Sequence, residues 1–189
     1  SDEMHATTSR FTARLRILNA QEAGLRHGAA LRVHVGAAAI PGRILLPGQR
    51  AIAAGKNGIA TVVLDYPTSL ANGMRLVLRD VSGRELVGGG MVIDPFAPAR
   101  HRHGTMQAEL TAALELGEPA SALAALLAIP GHEVDAVRFR RTFNLEDGMM
   151  RQIIADADAM SIGKAPESIV SRSTLDSVMD EITRLLGAW

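Results

Sequence analysis

The sequence contains no cysteine. Neither a disulfide framework nor a thiolate metal site can be built, and the chain fits a reducing compartment such as the cytoplasm. Aromatic residues make up only 3% of the chain, too few for a platform on which successive bases of a single strand could stack. No apolar run approaches the ~20 residues that cross a bilayer as a helix. The start, Ser1-Asp2-Glu3, has neither the basic nor the apolar region of a signal peptide. Catalytic signatures are missing too. There is no G-x-x-x-x-G-K-[ST] loop to cradle a nucleotide and no G-x-S-x-G elbow. Gly88-Gly89-Gly90 runs into prolines, not into a helix, so it is no dinucleotide fingerprint. His101-Arg102-His103 near Asp94 is no metal site, since a proline-rich segment is a poor scaffold and Arg102 would repel a cation. The expectation is a chain with no catalytic residues and no metal of its own.

What is present is a chain with enough apolar residues, 47% of 189, to fill two small cores. Its formal charge is zero but unevenly spread. Residues 1 to 103 carry +6 and residues 104 to 189 carry −6, and five of the six histidines lie in the first part. The basic part is the candidate for a polyanionic partner.

The charge boundary coincides with a structural one. Gly88-Gly89-Gly90-Met91-Val92-Ile93 reads as a strand whose backbone must bulge or be closely approached, and Asp94-Pro95 and Ala97-Pro98 then end any ladder pairing. The predicted organisation is a β-domain over residues 10–98, a basic proline-rich linker over 99–104 and a helical domain over 105–189. Upstream, Phe11, Ala13, Leu15 and Ile17 alternate with Thr12, Arg14 and Arg16, the period of a half-buried strand. A loop at Asn19 to Gly28 follows. Further strands are expected at 31–35, at 43–46 after a break at Pro41-Gly42, at 59–65, at 74–79 and at 85–93. Six short antiparallel strands separated by turn signals predict a closed β-barrel. On its outward positions the alternation places Arg14, Arg16, Arg32, His34, Arg75 and Arg79, a candidate phosphate-binding surface.

Residues 105–189 carry helical periodicity. Met106, Leu110 and Leu114 share one face, Gly117 ends that helix, and Glu118-Pro119 starts the next with proline in the first turn. A third helix is expected over 133–142 and a fourth over 146–157, with a wing formed by 159–162 and 168–171. Ser173-Thr174 would cap a last helix bearing the apolar stripe Leu175, Val178, Ile182 and Leu185. This is the pattern of a winged helix, and the bare stripe predicts that a further domain of the parent chain follows. The would-be recognition helix and its exit hold Arg151 against Glu146, Asp147, Asp156 and Asp158, a net −3 that opposes docking on phosphates.

Several of these segments resemble one family in the right order. Glu22-Ala23-Gly24-Leu25-Arg26-His27 is similar to the E-E-G-G-R-H segment of the third domain of EF-Tu, and Gly88 to His103 resembles the glycine-rich last strand, DP-x-x-P segment and basic cluster of the selenocysteine-specific elongation factor, the SelB type. The resemblance covers nearly the whole chain. It implies an EF-Tu domain 3-like barrel followed by the first winged-helix unit, in a cytoplasmic, monomeric fragment. Roles in tRNA binding would fall on Arg26 and His27 and on the turn at Ser82-Gly83, with Arg14, Arg16, Arg32, Arg75 and Arg79 as candidate phosphate contacts. The chain departs from the family at Glu85-Leu86, where Arg-Thr is usual. The full-length protein would be a GTPase, with GTP and magnesium in a domain before Ser1. Its partners would be selenocysteinyl-tRNA, the ribosome and, through later winged helices, the selenocysteine-insertion mRNA hairpin. The winged helix here would act as a spacer. The alternative is a DNA-binding winged-helix regulator whose barrel is a sensor or oligomerisation unit; such a protein should concentrate positive charge on its recognition helix, whereas here the barrel is basic.

Overall fold

The structure is a computed structural model and describes residues 7–98, 105–130, 132–163 and 167–187. Six strands close into an antiparallel barrel in the order β1-β6-β4-β3-β7-β8. They are β1 (Thr7–Ile17), β3 (Ala30–Val35), β4 (Ala38–Leu45), β6 (Asn57–Ser69), β7 (Arg75–Arg79) and β8 (Leu86–Asp94). Two short strands, β2 (Leu25–Arg26) and β5 (Ala51–Ile52), pair outside the barrel. Closure leaves no open edge. The alternating apolar positions point inward as the sequence period requires: Phe11, Ala13, Leu15 and Ile17 of β1, Val33 of β3, Ile44 of β4 and Leu78 of β7 are fully buried.

Two expectations about the strands need correction. Pro41-Gly42 does not break the sheet; β4 runs through it from Ala38. Pro41 faces Arg32 of β3, and β4 pairs with β6 only from Gly42 onward, so the missing N–H falls where no ladder to β6 has begun. Gly42 itself lies where a Cβ would sit 2.6 Å from the Val63 carbonyl. The region 19–28 is also more than a loop, because Leu25 and Arg26 pair with Ile52 and Ala51.

The helical part follows winged-helix order. It comprises α1 (Thr105–Glu115), α2 (Pro119–Leu127), β9 (Val134–Asp135), α3 (Ala136–Phe143), α4 (Asp147–Asp156), the wing strands β10 (Ala159–Ile162) and β11 (Ser168–Ser171), and α5 (Arg172–Gly187). Glu118 caps α2 by accepting from the N–H groups of Ala120 and Ser121, which holds its carboxyl below the usual range, chiefly through the Ser121 bond. The third helix begins at Ala136, not near Glu133. Val134 and Asp135 instead pair with Ile169 and Ser168 as a third strand beside the wing, and Asp135 accepts from the Arg138 N–H at 2.8 Å as N-cap. The cap of α5 is likewise Ser171, whose hydroxyl accepts from Thr174 N–H. Leu123, Leu126, Val134, Phe139, Met150, Ile153 and Ile169 form a second core. Among the described residues no helix is long and apolar enough to cross a membrane.

The strand register fixes the two ends of the barrel. At one end lie the connection 18–29, the segment 46–56 and the turn 80–85; at the other lie the turn between β3 and β4, the connection 70–74 and the exit of β8. The helical part is joined to this second end. Asn72 donates from its side chain to the carbonyls of Ile93 and Leu114, each at 2.7 Å, and from its backbone N–H to Thr142 O at 2.6 Å. Arg138 pairs with the buried carboxylate of Asp94 at 2.7 Å, and Arg14 pairs through two bonds with Glu115. The linker predicted over 99–104 lies outside the described residues.

Candidate nucleic-acid interface

The loop that bears Arg26 and His27 is shaped by a backbone requirement. Gly24 has φ +63°, and a Cβ there would lie 2.4 Å from the Ile52 carbonyl, so only glycine lets β2 come down beside β5. Arg26 then pairs with Ala51 and keeps an exposed side chain. His27 is anchored more tightly. Its backbone N–H donates to Arg50 O at 2.9 Å, and its Nδ1 accepts from Leu46 N–H at 3.0 Å. The same nitrogen lies 3.2 Å from the Leu46 carbonyl, so both polar groups of Leu46 hold this edge of the ring.

The turn at Ser82-Gly83 is a second rigid piece at the same end. Asp80 organises it: one carboxylate oxygen accepts from the Ser82 hydroxyl and N–H, the other from Glu85 N–H at 2.8 Å. The Ser82 hydroxyl is the main cause of a lowered Asp80 pKa. This carboxylate is engaged by the turn and forms no ion pair with the nearby arginines among the described residues. Arg79 donates to Gly83 O at 3.2 Å, and a Cβ on Gly83 would touch Arg32 at 3.6 Å. Arg32 and Arg79 are register partners on β3 and β7. The structure thus brings Arg32, Arg79, Ser82 and Gly83 into one cluster.

Arg16 and Arg75 are exposed on the outer face of β1 and β7, on either side of β8. Arg14 is different. It is held by Glu115 of α1, whose hydrogen bonds raise the arginine pKa above its ordinary value, so this guanidinium serves the joint between barrel and helices. His34 also points outward on β3, but its Nε2 is enclosed without a partner. Sequence reasoning missed Arg50 and Lys56, both exposed, whose backbone carbonyls accept from His27 and Ile17. The available signal was two cations in the turn region after Gly48, which carries no strand period to draw attention to them.

On the helical part, Arg140 pairs with Asp147 and Arg172 with Asp158 at 2.9 Å. A cavity of about 660 Å³ lies at the joint, lined among others by Asp94, Leu110, Leu114, His132, Arg138 and Phe139. Burial, with help from Arg138, lowers the His132 pKa. Among the described residues no three histidine or acidic side chains gather as a metal site; His101 and His103 lie outside those residues.

The architecture is thus a closed six-stranded antiparallel barrel with a basic loop end, followed by a winged helix, and it is to translation factors that the chain is similar. Residues 12–99 match the family model described as the beta-barrel domain of the selenocysteine-specific elongation factor. This part of the chain is similar to that barrel domain. The selenocysteine-specific elongation factor of Haemophilus influenzae is 26% identical over 149 residues, which cover 79% of this chain and 24% of that protein. The chain therefore spans about a quarter of the length of the curated relative it matches.

Proposed function

We propose that this chain is part of an elongation factor that delivers selenocysteinyl-tRNA to the ribosome at UGA codons, and that the barrel grips the tRNA at the end bearing Arg26, His27, Ser82 and Gly83. The observation that carries the reading is that these residues, two segments apart in sequence, share the barrel end opposite the helical joint, where the Asp80 carboxylate is engaged in holding the turn. Exposed Arg16 and Arg75 and half-buried Arg32 and Arg79 supply further positive charge on the same structure. GTP and magnesium would be bound elsewhere in the whole protein, which would do the GTP hydrolysis. The winged helix acts as a spacer: it is fixed to the barrel by Asn72, Asp94 and Glu115, and it holds mRNA-hairpin-binding units at a set distance from the tRNA. Its α4 and the residues flanking it hold Glu146, Asp147, Asp156 and Asp158 against Arg151, which disfavours a phosphate-lined groove. Filter binding of the full chain to a transcribed selenocysteine tRNA tests the proposal. Arg26→Ala should weaken binding and flatten the log-log salt dependence by about one unit; unchanged affinity and slope would refute the assignment.

A further inference from the structure

The three consecutive glycines of β8 do not have one cause. Gly88 pairs with inward Ile17 and Leu78, and Gly90 with inward Leu15 and Leu76. A Cβ at Gly88 would lie 2.4 Å from Arg16 O, and at Gly90 2.1 Å from Arg14 O. Barrel packing therefore requires both. Gly89 faces outward, in register with Arg16 on one side and Val77 on the other. Its φ is not positive, and a Cβ there would meet only Leu76 O, at 3.0 Å, a tight contact but a far looser one than those at Gly88 and Gly90. The fold has little use for a glycine at this position, and β-strands favour almost any other residue.

Its surroundings supply a use. Adjacent strands are ~4.8 Å apart, so Arg16, Gly89 and Val77 make a row roughly 10 Å wide with bare backbone at its centre. One row toward the joint stands exposed Arg75, and toward the loop end Arg79 pairs with Leu86 and Arg32. None of Arg16, Arg32, Arg75 or Arg79 has a carboxylate partner among the described residues. Unpaired guanidinium groups around a strip of accessible backbone suit a chain of phosphates and riboses, which needs charge at its edges and close approach at its middle.

We infer that the outer face of β1, β8 and β7 is a second contact surface for the tRNA sugar–phosphate backbone, extending along the strands from the Ser82-Gly83 turn, with Gly89 as its floor. This rests on the tRNA-binding reading above. The test uses the full chain and a transcribed selenocysteine tRNA. Gly89→Val should lower affinity about tenfold with the salt slope unchanged, because it blocks approach without removing charge. Arg16→Ala and Arg75→Ala should each flatten the slope by about one unit. Since the chain has no cysteine, Val77→Cys provides a single thiol for a photo-crosslinker. It should crosslink tRNA, whereas Tyr66→Cys on β6, across the barrel, should not. If Gly89→Val perturbs the fold, the crosslink decides alone. Wild-type affinity in Gly89→Val, or no crosslink from position 77, while Arg26→Ala still weakens binding, overturns this surface and leaves the loop site standing. Absence of tRNA binding by the wild-type chain overturns both.

Discussion

Asn72 and Leu114 are joined by one hydrogen bond, from the Asn72 side-chain amide to the Leu114 carbonyl at 2.7 Å. The same amide nitrogen holds Ile93 O at the end of β8. One side chain thus ties a barrel connection, the last barrel strand and the end of α1. Loss of the amide by Asn72→Ala removes a donor from Ile93 O and leaves Leu114 O with only the Gly117 N–H, at a cost of about 1–3 kcal/mol. Urea unfolding of the variant should show the helical part released before the barrel, where the wild type unfolds as a unit; coincident transitions at unchanged midpoint would mean that the bond does not couple them.

Glu115 should restrain tRNA binding. Its ion pair occupies Arg14 on the strand that also bears Arg16. Glu115→Gln frees a guanidinium beside the proposed surface, and the log-log salt slope should steepen by about one unit. In the wild-type background Arg14→Ala should leave the slope alone. A flattening by Arg14→Ala would show that this arginine contacts phosphate despite Glu115.

Gly90→Ala should destabilise the barrel severely. The added methyl would overlap Arg14 O at 2.1 Å and Leu15 Cδ2 at 2.9 Å, and the Arg14 backbone cannot give way by that much in a closed sheet. A loss of at least about 3 kcal/mol in denaturant unfolding is expected. A near-neutral effect would mean that β8 is less tightly paired with β1 than the register implies.

His132 sets a pH dependence. Its pKa is lowered in the fold, first by burial and then by Arg138, with Glu133 opposing. The unfolded chain therefore binds the proton more readily, and stability rises with pH through the window from the folded pKa up to about 6.5, the ordinary histidine value, then levels off. Thermal melts across pH 5 to 8 should show this rise, and His132→Gln should remove it. An unaltered profile in the variant would assign the dependence to other groups.

The barrel was legible because its cause is local: Phe11, Ala13, Leu15 and Ile17 alternate, and burial follows the alternation. Pro41-Gly42 misled because a proline breaks a strand only where its N–H is needed, and that depends on when β6 begins to pair. Val134-Asp135 fit a helical pattern equally well until the wing offered them a ladder to Ile169 and Ser168. The loop residues Arg26 and His27 could be picked from their motif. The anchoring of His27 on Leu46 could not, nor could Arg14 with Glu115, 101 residues apart. Such pairs have no period in the sequence; they exist only once the barrel closes and α1 packs back on it.

The central claim is that the loop end of the barrel, remote from the winged helix, holds the tRNA. Amide hydrogen exchange of the full chain with and without transcribed selenocysteine tRNA tests it directly, since protection maps the bound surface residue by residue. Added protection is expected in 24–29, 46–50 and 80–86, with α4 and the wing unchanged. Protection confined to 147–162, with the barrel loops exchanging as in the free chain, would contradict the account.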